Sequence, residues 1–102
     1  MDYITDKIYT VEEIKNIVAP IAKSHGVTKV CLFGSYARME ATGKSDVDLW
    51  IEKGRIVTLF DLGGLYADLE DSLKKPLSLI TNKGMDEKFY NKIKHEEIII
   101  YG

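Results

Sequence analysis

Cysteine is almost absent from this sequence: Cys31 is the one thiol among 102 residues, so no internal disulfide can form and a reducing compartment is expected. No apolar run approaches the roughly 18 residues of a membrane span. The N-terminal stretch Met1-Asp2-Tyr3-Ile4-Thr5-Asp6 lacks a signal-peptide core, so a cytoplasmic chain is expected. An excess of basic charge is also missing. With 14 Lys and Arg against 16 Asp and Glu, the formal charge of −2 gives no basic face for non-specific nucleic-acid binding. Repeats, low-complexity tracts and linkers are absent. What is present, 45% hydrophobic and 29% charged residues, suits one globular domain spanning residues 1–102.

Local signals divide the chain into short elements. Thr10-Val11-Glu12-Glu13 has the form of a capping box, with Thr10 as N-cap. Val11, Ile14, Ile17, Val18 and Ile21 then recur at a helical period, and Gly26 supplies a stop. Pro20 conflicts with this helix, because a proline in its interior lacks the N–H of the ladder. Lys29-Val30-Cys31-Leu32-Phe33 reads as a buried strand ending at Gly34, followed by a helical turn or two from Tyr36 to Glu40 and a loop over Ala41-Thr42-Gly43-Lys44. Asp46 to Ile51 reads as a second strand with Val47, Leu49 and Ile51 facing the core.

A second capping box, Thr58-Leu59-Phe60-Asp61, opens a helix with a stripe of Leu59, Leu62, Leu65, Tyr66, Leu69 and Leu73. Gly63-Gly64 in this helix is expected either to meet a closely packed backbone or to precede the regular helix. Lys74-Lys75-Pro76 breaks the helix, Leu77-Ser78-Leu79-Ile80 reads as a third strand, and Asn82 to Lys94 as a last helix with Met85, Phe89 and Ile93 on one face. The tail Ile98-Ile99-Ile100-Tyr101 is open between strand, helix end and contact surface. The resulting alternation implies an α/β (α+β) fold, a small mixed β-sheet flanked by helices.

Chemistry concentrates between Gly34 and Asp48. Gly34-Ser35-Tyr36-Ala37-Arg38 is followed by Ser45-Asp46-Val47-Asp48-Leu49. Positions i and i+2 of a strand share a face, so Asp46 and Asp48 converge on one point opposite the Gly-Ser turn. Two hard carboxylates suit a divalent metal, and turn N–H groups suit the phosphates it carries. The combination resembles the G-S-x-A-R…D-x-D signature of the minimal nucleotidyltransferases, small members of the DNA polymerase beta-like superfamily. The resemblance extends to the first capping-box helix, to Leu62-Gly63-Gly64-Leu65-Tyr66 and to the closing Glu96–Gly102 segment.

That resemblance implies the minimal nucleotidyltransferase fold and transfer of a nucleoside monophosphate from ATP, or another NTP, to an acceptor hydroxyl. Gly34 would admit the phosphates without a Cβ in the way, Ser35 would hydrogen-bond a phosphate oxygen, and Asp46 and Asp48 would hold Mg²⁺. Arg38 either assists with phosphate or pairs with a carboxylate such as Glu40 or Asp46. The family's third acidic residue, on the third strand in a context such as K-V-D-L-V-T, is matched here by Ser78. A serine cannot act as a general base near neutral pH, so the transfer itself is placed in doubt, and Asp71 and Asp86 have the wrong parity to replace it. Short members of the family act as antitoxins that adenylylate a HEPN-domain ribonuclease. A HEPN partner is expected here, because the chain has no room for an acceptor domain. The rival expectation is an inactive antitoxin that neutralises its partner by contact; a transferase acting on small molecules is less favoured.

The remaining candidates have plainer readings. Cys31 is expected in the core. His25 and His95 are expected at helix ends, and Lys74-Lys75 is read as a solvated helix end. Trp50 is read as lid or interface packing in preference to stacking on a base.

Overall fold

The computed structural model describes residues 4–81, 87, 88, 91 and 94–102. Helix α1 runs Val11–Ser24 behind the expected capping box. The Thr10 hydroxyl accepts from the Glu13 N–H, and Glu13 Oε1 accepts from the Thr10 N–H, each at 3.0 Å. Pro20 does not interrupt α1. Pro20 and Asn16, whose carbonyl loses its helical donor, are both exposed, so water can take the missing N–H's place. His25 caps the C-terminus, and its Nε2 lies 2.6 Å from Asp68 Oδ2 on the third helix, α3 (Leu59–Leu73).

Strand β1 (Lys29–Phe33) leads into a single helical turn, α2 (Gly34–Ala37), two residues earlier than the sequence suggests. Strand β2 (Val47–Glu52) precedes α3, and strand β3 (Leu77–Thr81) follows it. The tail resolves as strand β4 (Ile98–Tyr101). The four strands form one mixed sheet in the order β3-β2-β1-β4, with β1 antiparallel to both neighbours and β2 parallel to β3. The expected helix over Asn82–Lys94, with Met85, Phe89 and Ile93, falls largely outside the described residues; His95 lies in an exposed turn.

One face of the sheet carries Val30, Leu32, Val47, Leu49 and Ile51. They pack with Ile14, Val18 and Ala22 of α1 and Leu65, Leu69 and Leu73 of α3 in the main core. Alternation sends Cys31, Phe33 and Trp50 to the opposite face, where they cluster with Ile80. Cys31 is fully buried, as the sequence suggests, and burial pushes its thiol up to about 11. Trp50 is part of this cluster and is 6% exposed.

Three local readings are corrected. Leu59 is 86% exposed, because at the first position of α3 it precedes the part of the helix that lies over the sheet. The helix already begins at Leu59, so Gly63-Gly64 lies inside it. A Cβ on Gly63 would meet nothing within 4 Å and one on Gly64 only His25 Cε1 at 3.6 Å, so neither expected justification for the pair holds. Lys75 is not solvated: it is 0% exposed, and its Nζ donates to the Gly43 carbonyl at 2.7 Å. Lys74, in the left-handed region at φ 55°, ends α3 and turns the next side chain inward.

Candidate active site

The site is assembled where β1 ends, β2 begins and β3 runs alongside. Gly34 follows the extended Phe33 and has φ 75°, a conformation that side chains strain to reach. A Cβ at Gly34 would also run into the Asp48 carboxylate, so this position excludes a side chain on two counts. Register explains the closeness, since Asp48 is the antiparallel partner of Phe33. Ser35, the next residue, is half-buried at the same turn.

Asp46 stands one residue ahead of β2 and is exposed, whereas Asp48 is half-buried on the strand. The loop that delivers Asp46 is tied down locally. The Thr42 N–H donates to Ser45 Oγ at 2.8 Å, the Ser45 N–H donates to the Thr42 carbonyl at 3.1 Å, and Lys75 holds the Gly43 carbonyl. Burial raises the Asp48 carboxyl above its usual range, and the neighbouring negative charge of Asp46 raises it further; Arg38 opposes the shift and Glu96 adds to it. The carboxylates therefore feel one another, which is the condition a bound cation relieves.

Ser78 is the parallel partner of Asp48, so its side chain shares the face that carries Asp48. The position expected for a third carboxylate thus holds a hydroxyl. Asp46 and Asp48 are hard oxygen donors that fit Mg²⁺, which keeps waters and shares phosphate oxygens with its ligand. Among the described residues no group of three or more His, Cys, Asp or Glu is placed to hold a metal, so Asp46 and Asp48 are the carboxylates considered for it.

Arg38 lies at the far end of α2, between two carboxylates. Its Nε donates to Glu40 Oε1 at 2.6 Å, and its Nη1 to both Glu96 oxygens at 3.2 Å. The pair with Glu40 is the alternative that the sequence left open; Asp46 takes no part in it. Glu96 also accepts the Gly34 N–H at 3.2 Å. Glu96, to which the sequence assigned no role, and Lys75, which it read as a solvated helix end, are the further side chains at this site. Their partners are 58 to 62 and 32 residues away, so no local pattern points to them.

Comparison with known proteins bears on the family and the fold. The family described as Polymerase beta, Nucleotidyltransferase matches residues 12–102. A protein of Methanocaldococcus jannaschii named "Putative protein adenylyltransferase MJ0435" is 35% identical over 88 residues, covering 86% of this chain and 95% of that protein. The solved structure of a "putative minimal nucleotidyltransferase" is 30% identical and superposes with a TM-score of 0.72, over 82% of this chain and 86% of the other. A tri-AMPylated Shewanella oneidensis HEPN toxin in complex with MNT antitoxin gives a TM-score of 0.68 at 14% identity, over 89% and 71% of the two chains. The chain belongs to the polymerase beta nucleotidyltransferase family, and its four-stranded mixed sheet with flanking helices is the fold of a minimal nucleotidyltransferase.

Proposed function

We propose that this protein is a cytoplasmic antitoxin that transfers AMP from Mg-ATP to a hydroxyl of a HEPN-domain partner protein. The observation that supports the reading is that Asp48 stands so close to the Gly34 turn that no Cβ fits there, with the Asp46 charge near enough to raise the Asp48 carboxyl. Gly34 leaves room for the Asp48 carboxylate beside the turn, and the Ser35 hydroxyl and N–H would hydrogen-bond a phosphate oxygen. Asp46 and Asp48 would hold Mg²⁺. When bound, the metal orients the triphosphate and neutralises charge on the departing pyrophosphate. In the transfer, the acceptor oxygen bonds to the α-phosphorus while the bond to the β-phosphate oxygen breaks, and the hydroxyl proton passes to solvent.

The choice of AMP and of a protein acceptor is supported by the name of the Methanocaldococcus relative and by the modified toxin bound to the Shewanella antitoxin. The formal charge of −2 favours a protein partner over free nucleic acid.

Ser78 opposite Asp48 favours a second reading, a nucleotide-binding antitoxin that neutralises its partner by contact alone. Incubation with α-labelled ATP, Mg²⁺ and the HEPN protein separates the two. Label on the partner supports transfer. A stable unlabelled complex, with metal-dependent ATP binding by calorimetry, supports contact. Binding of equal strength in the Asp46→Asn/Asp48→Asn double variant, or without metal, overturns both.

A further inference from the structure

We infer that Glu96 is a positioning residue that braces both ends of the Gly34–Ala37 turn, and that Arg38 acts through this brace without holding phosphate. This rests on the nucleotide reading of the site. Glu96 lies two residues ahead of β4, whose pairing with β1 fixes where the carboxylate stands. From there it accepts the Gly34 N–H at the start of α2 and the Arg38 guanidinium at its C-cap.

A four-residue helical turn has little stability of its own, and Gly34 at φ 75° is the most freely rotating residue in it. One carboxylate that grips both ends restricts the turn where Asp48 and the phosphates must meet. The Arg38 guanidinium is meanwhile flanked by Glu40 and Glu96, and a phosphate approaching on that side would meet two negative charges. Two carboxylates more than neutralise one guanidinium, which removes the net attraction a phosphate clamp requires. The Gly34 N–H, with Glu96 as its acceptor, is a structural contact, and the phosphate contacts fall to Ser35.

The test combines amide hydrogen exchange at Gly34 with Mg-ATP affinity by calorimetry, in the wild type, Glu96→Gln, Glu96→Ala, Arg38→Ala and the Glu96→Ala/Arg38→Ala pair. Glu96→Ala should speed Gly34 exchange about tenfold, the scale of a lost charge-assisted hydrogen bond. Exchange at the core residues Leu32 and Leu49 should stay as in the wild type, which separates a loosened turn from a loosened fold. Glu96→Gln, which keeps a neutral acceptor, should fall between. Each alanine variant should weaken Mg-ATP binding, and the pair should bind within about twofold of the weaker single variant, because both remove one brace. Unchanged Gly34 exchange overturns the brace. Independent losses that multiply in the pair show that Arg38 holds phosphate directly, and overturn its assignment. If no form binds Mg-ATP, the nucleotide reading fails by itself, and Gly34 exchange still decides the brace.

Discussion

Asp48 and Ser78 face one another across the parallel pairing of β2 with β3. The register places a hydroxyl beside a carboxylate whose proton affinity is already raised by burial and by Asp46. A neutral partner at this point neither takes a proton from an acceptor nor adds charge to a metal site. On the proposed transfer reading this leaves the site without a base, and the hydroxyl itself adds no charge to be buried, so its effect on folding is small.

Ser78→Asp should therefore raise AMP transfer to a hydroxyl-bearing partner by at least two orders of magnitude, since a positioned general base contributes roughly 10²–10⁴-fold. Single-turnover rates with labelled ATP measure it. Equal rates in the two forms would show that a third carboxylate at this position is not needed.

Gly34→Ala should lower stability by about 1–3 kcal/mol, the scale for a side chain forced to a positive φ. It should also weaken Mg-ATP binding, because the new Cβ pushes against the Asp48 carboxylate. Gly63→Ala is the contrast. Gly63 has no positive φ, and its added Cβ meets nothing, so that change should stabilise α3 by about 1 kcal/mol. Urea unfolding of the two variants should thus move in opposite directions.

How much the sequence disclosed depended on how local each signal was. The two capping boxes and β1 follow from neighbouring residues, and the structure reproduces them. The D-x-D spacing puts Asp46 close enough to Asp48 for its charge to raise that carboxyl, and Asp48 lies against Gly34. The tail Ile98-Ile99-Ile100-Tyr101 could not be assigned, because its apolar run becomes a strand only through pairing with β1. Lys75 was misread for the same reason. A second lysine at a helix end looks solvated, and only the distant Gly43 carbonyl shows why it turns inward. Glu96 belongs with these, since both of its partners lie on the far side of the sequence.

Lys75→Ala should destabilise the fold by about 2–4 kcal/mol, through the cavity left by a fully buried chain and the loss of the Gly43 hydrogen bond. Lys75→Met should recover most of the packing share but not the hydrogen bond, and should fall between. Because Gly43 lies in the loop that delivers Asp46, both variants should also weaken Mg-ATP binding. Thermal unfolding and calorimetry read the two effects separately. Wild-type stability in the alanine variant would mean that Lys75 is buried without supporting the loop.

Asp48 gives the chain a stability that depends on pH in a direction opposite to the usual salt-bridged carboxylate. Its carboxyl is raised from an ordinary value of 3.8 by burial first and by Asp46 second. Between 3.8 and the raised value the folded chain therefore holds a proton that the unfolded chain has released. In that window stability falls as pH rises, and above it the whole penalty of a half-buried, repelled charge remains. Asp48→Asn removes the ionisation, so the variant should melt above the wild type at pH 7, and the difference should shrink as pH falls toward 3.8. Mg²⁺ should reverse the order, because a cation favours the ionised carboxylate and stabilises the wild type while leaving the variant nearly unaffected. Thermal unfolding at several pH values, with and without Mg²⁺, measures both effects. An asparagine variant less stable than the wild type at pH 7 without metal would show that the Asp48 charge is compensated within the fold.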